Sequence, residues 1–233
     1  TPNSQDPGAV FSSMSIKRQL AMERGAVAVI EIYRLSFPWQ FFLSFFNKTS
    51  IQLGKMEGKQ IPYGFINLTY KSVVERMRQG KKVKVELQNS AFSQQSVYSQ
   101  NVIGVLEGSD PNLKNEYVLL SAHYDHVGMG VDGGGAFTAA DSIFNGARDN
   151  AMGTVALLGA VKMLSQNPPK RSTIFLAVTG EEIGLLGSSY YADNPLIPLN
   201  QTIFNLNSDG AGYNDTSYLS VIGYGRTGVD ELI

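Results

Sequence analysis

The chain has 233 residues, with 19 basic and 20 acidic side chains and a formal net charge of −1, so it lacks the basic footprint of a nucleic-acid binder. It contains no cysteine, which excludes disulfides, thiolate metal sites and a cysteine nucleophile. No uninterrupted apolar run approaches the roughly 20 residues of a membrane span, and the length suits one large domain or two modest ones.

The chain opens on TPNSQDPGAV, with no initiator Met, basic region or apolar leader, so any signal peptide is expected to be absent already. KRQLAMERG (Lys17–Gly25) has helical character with a glycine stop, and AVAVIEIY then reads as a buried strand. SFPWQFFLSFFNK (Ser36–Lys48) is interrupted by Pro38, Gln40 and Ser44. It reads as core-packing aromatics, with a substrate-facing aromatic rim as the alternative. YGFINLTY predicts a strand, KSVVERMRQG a helix ending at Gly80, and KKVKVELQ an alternating strand. The Ser- and Gln-rich run from Asn89 to Gln100 marks a boundary, placing one domain at 1–92 and a second at 93–233.

Beyond that run, NVIGVLEG and EYVLLSAHYD predict strands, AMGTVALLGAVKMLSQNPP a helix closed by Pro168, and STIFLAVTG an apolar strand. EEIGLLGSSYYADNP predicts a second helix, followed by the strands TIFNLNSD and YLSVIGYG. Such alternation predicts an α/β fold, three layers around a twisted, largely parallel mixed sheet, beside the smaller α+β first domain. The segment GMGVDG (Gly128–Gly133) satisfies G-x-G-x-x-G by spacing but opens no helix after a strand, so it reads as a loop. A serine-hydrolase elbow and a P-loop are both missing from the sequence.

In sheets of this kind, ligands gather beyond the carboxyl ends of the strands. There the sequence sets His123, Asp125 and His126, then Glu181-Glu182, then Asp209, with Asp149 at the head of the long helix. Singly, each has a plain explanation: a satisfied buried histidine, a helix cap, turn chemistry, or acids offsetting a helix dipole. Together they are expected to converge. Carboxylates about 4 Å apart repel by roughly 4 kcal/mol per pair at an effective dielectric near 20, so three in a dry crevice call for a cation. One imidazole with several carboxylates suits zinc, with manganese or cobalt as alternatives. The spacing His-x-Asp also lets Asp125 accept the other ring N–H of His123 and fix its tautomer.

The motifs SAHYDHVG, FNGARDNAMG, VTGEEIGLLGS and NLNSDGAG, in that order, resemble the series of the co-catalytic zinc aminopeptidases, a group that includes glutamate carboxypeptidases and the related glutaminyl cyclases. The resemblance covers most of Asn101–Ile233. It implies two zinc ions bridged by Asp149, with His123 and Asp209 completing one site, Glu182 binding the second ion and Glu181 acting as general base. The implied reaction is hydrolysis of N-terminal peptide bonds in a peptide substrate, outside the cytoplasm. A single-zinc glutaminyl cyclase and a non-catalytic binding module on the same scaffold are the alternatives. The first region resembles a protease-associated domain through KRQLAMERGAVAVIEIY and the strand–helix–strand pattern after it.

One departure stands out. The family pattern has a further histidine well after the Asp209 motif, whereas this chain holds only His123 and His126. His126 lies too near His123 to take that place by motif match. The expectation is therefore a catalytic domain cut short at its C-terminal side, with a weak second metal site and little or no activity. Oligomeric state and side-chain specificity are not written in the motifs.

Overall fold

Ser172–Val178 is the strand on which residues 96–233 are assembled, because nearly every one of its residues is buried. A strand covered on both faces reads as a continuous apolar run rather than an alternating one, and STIFLAV does. The computed structural model describes residues 7–46, 50–54, 61–67, 69–82, 84, 86, 95–133, 135–210, 217, 220–223, 225–226 and 228. The chain divides into two compact units, residues 1–95 and 96–233, against the division after residue 92 read from composition.

In the first unit, helices α1 (Pro7–Ser12) and α2 (Met14–Glu23) precede strand β1 (Val29–Ile32). Then follow α3 (Trp39–Phe46), β2 (Tyr63–Ile66) and α4 (Lys71–Arg78). β1 and β2 pair in parallel, Val29 opposite Tyr63. α2 is tied to both strands through one carboxylate: Lys17 Nζ donates to Glu31 Oε1 at 2.7 Å, and the Tyr63 hydroxyl donates to the other oxygen of Glu31. The helix α3 falls within the aromatic run. Phe42 packs in a buried cluster with Val10, Tyr33 and Leu35, while Phe41 on the same helix is 60% exposed. The core-packing expectation thus fits one face of that helix and not the other. Of the strand predicted over 81–88, the described residues form none, and the rest lie outside the described residues.

In the second unit, β3 (Val102–Leu106), β4 (Tyr117–His123), β5 (Ser172–Val178) and β6 (Thr202–Asn207) form one mixed sheet in the order β3-β5-β4-β6. β4 runs parallel to β5 and to β6, and β3 closes one edge antiparallel to β5. Alternate side chains of β5 serve different clusters. Ile174, Leu176 and Val178 pack with Leu119 and with Tyr191 of α6 (Leu186–Asp193), while Phe175 packs with Ala122 and with Leu157 of α5 (Met152–Gln166). This is the period-two consequence of the strand pleat.

Two differences from the sequence reading concern the site. The second helix was expected to start at Glu181, but the chain turns there first and α6 begins only at Leu186. The amides of Gly184 and Leu185 both donate to the Glu181 carbonyl, Gly180 and Gly184 have positive φ, and Leu185 also sits in the left-handed region at φ 57. A glycine-bounded turn competes with helix in such a segment and wins. The strand expected over 218–225 is absent among its described residues, 220–223 and 225. Residues 229–233 lie outside the described residues.

Ile174 is fully buried at the centre of the sheet. Ile174→Ala should destabilise the protein by about 2–5 kcal/mol, the usual span for such core truncations, measured by urea unfolding. A loss under about 1 kcal/mol would show that this strand is not the packing centre.

Candidate active site

Parallel pairing of β4 with β5 and β6 puts the carboxyl ends of three strands on one edge of the sheet. His123 is the last residue of β4, Glu181 and Glu182 follow β5, and Asp209 follows β6. Asp149 arrives from a fourth direction, in an irregular turn (Ala147–Ala151) that leads into α5. Its backbone is extended (φ −124°, ψ 92°) and its peptide bond to Asn150 is cis.

Asn150, on which the sequence reading placed no role, holds these segments together. It is 1% exposed. Its amide group donates to the main-chain carbonyls of His123 (3.3 Å) and Ser208 (2.9 Å), and its carbonyl oxygen accepts from the Gly153 amide at 3.0 Å. One side chain therefore ties the end of β4, the segment after β6 and the start of α5. Thr154 Oγ1 adds a bond to the His123 carbonyl at 3.0 Å. Gly153 is required in this packing, since a Cβ there would lie 2.3 Å from the Asn150 side-chain oxygen and 2.5 Å from the Ser208 carbonyl. The signal in sequence is the string DNAMG, but only the fold shows what the Asn reaches.

His123, 2% exposed, has its Nε2 3.1 Å from Asp149 Oδ1 and 3.2 Å from Asp209 Oδ1. Its Nδ1 lies 3.1 Å from the main-chain carbonyl of Asp125, which can only accept, so this nitrogen is assigned the N–H. With Nδ1 protonated, the neutral ring aims the Nε2 lone pair at two carboxylate oxygens. That arrangement is repulsive unless a proton or a cation lies between them. Two ligands at about 2.0–2.1 Å from a tetrahedral ion lie roughly 3.3 Å apart, close to both observed separations. The donor set and its spacing fit zinc.

A second group adjoins the first. His126 Nδ1 is 2.7 Å from Glu182 Oε1, and one atom each from His126, Asp149 and Glu182 lie within 4.8 Å of one another. The same holds for His123, Asp149 and Asp209, so Asp149 belongs to both groups. The two groups thus bring together His123, Asp149, Glu182 and Asp209, the ligand candidates read from sequence, and add His126.

Asp125 acts differently from expectation. Its carboxylate oxygen is 3.8 Å from His123 Nδ1, beyond hydrogen-bond range, and the main-chain carbonyl orients the ring instead. The carboxylate accepts the amides of Glu181 (3.3 Å) and Glu182 (3.4 Å), fixing the turn that carries both glutamates.

Burial raises the Glu181 carboxyl above the usual carboxylate range; the charge of His123 opposes this, and the charges of Asp209, Glu182 and Asp125 add to it. For His123, burial disfavours the charged form, but the hydrogen bond and charge of Asp209, the charge of Glu181 and the Asp125 carbonyl outweigh it, and the pKa is raised.

A mixed α/β unit with two imidazole–carboxylate groups on the carboxyl edge of its parallel strands has the form of a metal-dependent hydrolase. Residues 101–232 match the family model described as Peptidase family M28, and the chain belongs to that family. It is 36% identical over 126 residues to the vacuolar membrane protease of Saccharomyces cerevisiae, covering 54% of this chain and 11% of that protein. With aminopeptidase YwaD of Bacillus subtilis it is 32% identical over 151 residues, 63% of this chain and 29% of that protein. Its fold is similar to that of an aminopeptidase from Aneurinibacillus sp. strain AM-1, with a TM-score of 0.54 and 21% identity, covering 87% of this chain and 44% of that one. The chain thus spans less than a third of both curated relatives. Among the described residues, no helix is long and apolar enough to cross a membrane.

The raised His123 value has a definite sign in metal-free protein. Its stabilisation is complete below the ordinary imidazole pKa of about 6.5 and is lost as pH rises through the higher folded value. The raised Glu181 value acts in the same direction. In chelator, the melting temperature should therefore fall between about pH 6 and pH 8, and His123→Asn should flatten that fall. A melting temperature that rises over this interval would contradict the assignment.

Proposed function

We propose that this chain carries the catalytic edge of a metal-dependent aminopeptidase, one that hydrolyses N-terminal peptide bonds. The observation that supports it most is the convergence of His123 Nε2 with Asp149 and Asp209, a donor set whose lone pairs and charges face one small volume. In this reading His123, Asp149 and Asp209 would hold one zinc ion, and Asp149 with Glu182 would contribute to holding a second. Bound zinc would supply Lewis acidity at the scissile carbonyl and lower the pKa of water towards about 7.

The chain's own residues have separable tasks. Glu181 is the proton carrier: it takes the proton from the attacking water and returns it to the departing amine. A carboxyl held above its ordinary range suits that exchange, because its carboxylate is the stronger base towards the attacking water. Glu181 and Glu182, adjacent in a turn rather than on a helix, can face different ways, one towards substrate and one towards His126. Asp125 holds this turn through two main-chain amides, and its carbonyl keeps the His123 ring in one orientation. The exposed carboxylates of Asp149 and Asp209 offer a negative surface to the free α-ammonium group of a peptide, which favours N-terminal residues.

Two groups sharing Asp149 favour a two-ion hydrolase over a single-zinc cyclase, and retention of Glu181 favours an enzyme over a binding module. The same proposal takes the first domain as a protease-associated module. Support for that part is the likeness of KRQLAMERGAVAVIEIY.

In the purified whole protein loaded with zinc, Glu181→Gln should lower kcat on an aminoacyl anilide by at least about 100-fold, as loss of a general base does, while zinc content stays unchanged. A variant that keeps a near-wild-type rate would remove Glu181 from the mechanism.

A further inference from the structure

Residues 180–186 carry Glu181 and Glu182, and the chain enters and leaves this segment at Thr179 and Gly187. Those two residues face each other, with the Gly187 amide donating to the Thr179 carbonyl at 2.8 Å. Asn101 closes the other side of the pair. Its carboxamide oxygen accepts the Thr179 amide at 3.2 Å, and its nitrogen donates to the Gly187 carbonyl at 2.8 Å. One side chain thus offers an acceptor and a donor to the neck of the turn, as the backbone of a neighbouring strand would. The fit is close: Gly187 is buried, and a Cβ there would lie 2.5 Å from Asn101 Oδ1 and 2.2 Å from the Thr179 carbonyl oxygen. The residues just before Asn101 grip the same edge of the sheet. Ser99 Oγ is 2.7 Å from Thr179 Oγ1, and the hydroxyl of Tyr124, next to His123, donates to the Gln100 carbonyl.

We infer that Asn101 is a positioning residue for Glu181, setting where that carboxylate stands by holding both ends of the turn that bears it. The inference rests on the reading of Glu181 as proton carrier and deepens it. Asp125 accepts the amides of Glu181 and Glu182, and so fixes the leading side of the turn alone. Gly180 and Gly184, both at positive φ, leave the rest of the segment with permissive backbone, so its path depends on where the neck is pinned. Proton transfer needs hydrogen-bond reach, and a misplacement of about 1 Å costs on the order of 100-fold in rate. Both bonds that Asn101 makes to the neck go to main-chain atoms, so it acts through the backbone of the turn. A purely structural Asn101 would affect the melting temperature and leave the rate per folded molecule unchanged.

A double-mutant cycle in the purified whole protein, loaded with zinc and assayed on an aminoacyl anilide, separates these roles. Asn101→Ala should lower kcat by about 10- to 100-fold, with KM within about 3-fold of wild type and zinc content unchanged. Added to Glu181→Gln, the same substitution should cost less than about 3-fold, because the group it positions is already gone. In metal-free protein, hydrogen exchange of the Gly184–Gly187 amides should quicken by about 10-fold or more in Asn101→Ala, while exchange in β4 stays as in wild type. Asn101→Asp keeps the shape and the acceptor but loses the donor, so it should show the same loss of kcat, and it carries the cycle if the alanine variant does not fold. The inference is overturned if either variant keeps kcat within about 3-fold of wild type, or if the full loss recurs in the Glu181→Gln background. Unchanged exchange in the turn would overturn it as well. If Glu181→Gln alone keeps a near-wild-type rate, the reading of Glu181 falls and takes the inference with it. A slow Glu181→Gln beside a fast Asn101→Ala defeats the inference alone.

Discussion

The site depends on one unfavourable juxtaposition. A buried imidazole directs Nε2 at two carboxylate oxygens, 3.1 and 3.2 Å away, while its other nitrogen is committed to a main-chain carbonyl. Without a positive charge between them, these groups repel. At an effective dielectric near 20, a carboxylate pair about 4 Å apart costs roughly 4 kcal/mol, a large part of the net stability of a typical domain. A fold keeps such a cluster only where the surrounding structure holds it and where something bound relieves it. Asn150, Thr154 and the sheet register supply the holding. The donor set indicates what relieves it: a divalent cation of the zinc type.

The holding is achieved with main-chain atoms more than with side-chain pairs. Asn150 bonds to the carbonyls of His123 and Ser208, Asp125 accepts the amides of Glu181 and Glu182, and Ser208 donates its amide to the Ser121 carbonyl. The Asp125 and Ser208 bonds join strand ends that the parallel register already sets side by side, and the Asn150 bonds add the turn before α5 to them. Among the described residues, the carboxylates of Asp149, Glu182 and Asp209 have the two histidines as their hydrogen-bond or ion-pair partners, which leaves further lone pairs available. Supporting bonds that fix the segments carrying the charged groups are what catalytic constellations need.

Much of this was legible in the residues. Apolar runs marked β4, β5 and β6, and the acids and His123 stood at their ends, because parallel strands and a crossover helix impose that order on any sequence that folds this way. What escaped depends on distances that no spacing rule provides. Asp125 was placed against His123 by the interval of two residues, yet the backbone after β4 turns so that the carbonyl reaches the ring and the carboxylate reaches the β5 segment. His126 lies too near His123 in sequence to match the family's later histidine, yet three residues of turn suffice to carry its side chain beside Asp149 and Glu182. The helix expected at Glu181 yielded to a turn bounded by Gly180 and Gly184, where positive φ ends helical propagation before it starts. Asn150 drew no reading from sequence, since a buried polar hub is defined by what surrounds it.

The central claim concerns where cations bind. Crystals of the protein grown with zinc, measured on both sides of the zinc absorption edge, locate those ions without reference to any mechanism. The account predicts an anomalous peak about 2.0–2.2 Å from His123 Nε2 and from carboxylate oxygens of Asp149 and Asp209. A fully occupied zinc elsewhere, with His123 still hydrogen-bonded to both acids and no peak between them, would contradict it.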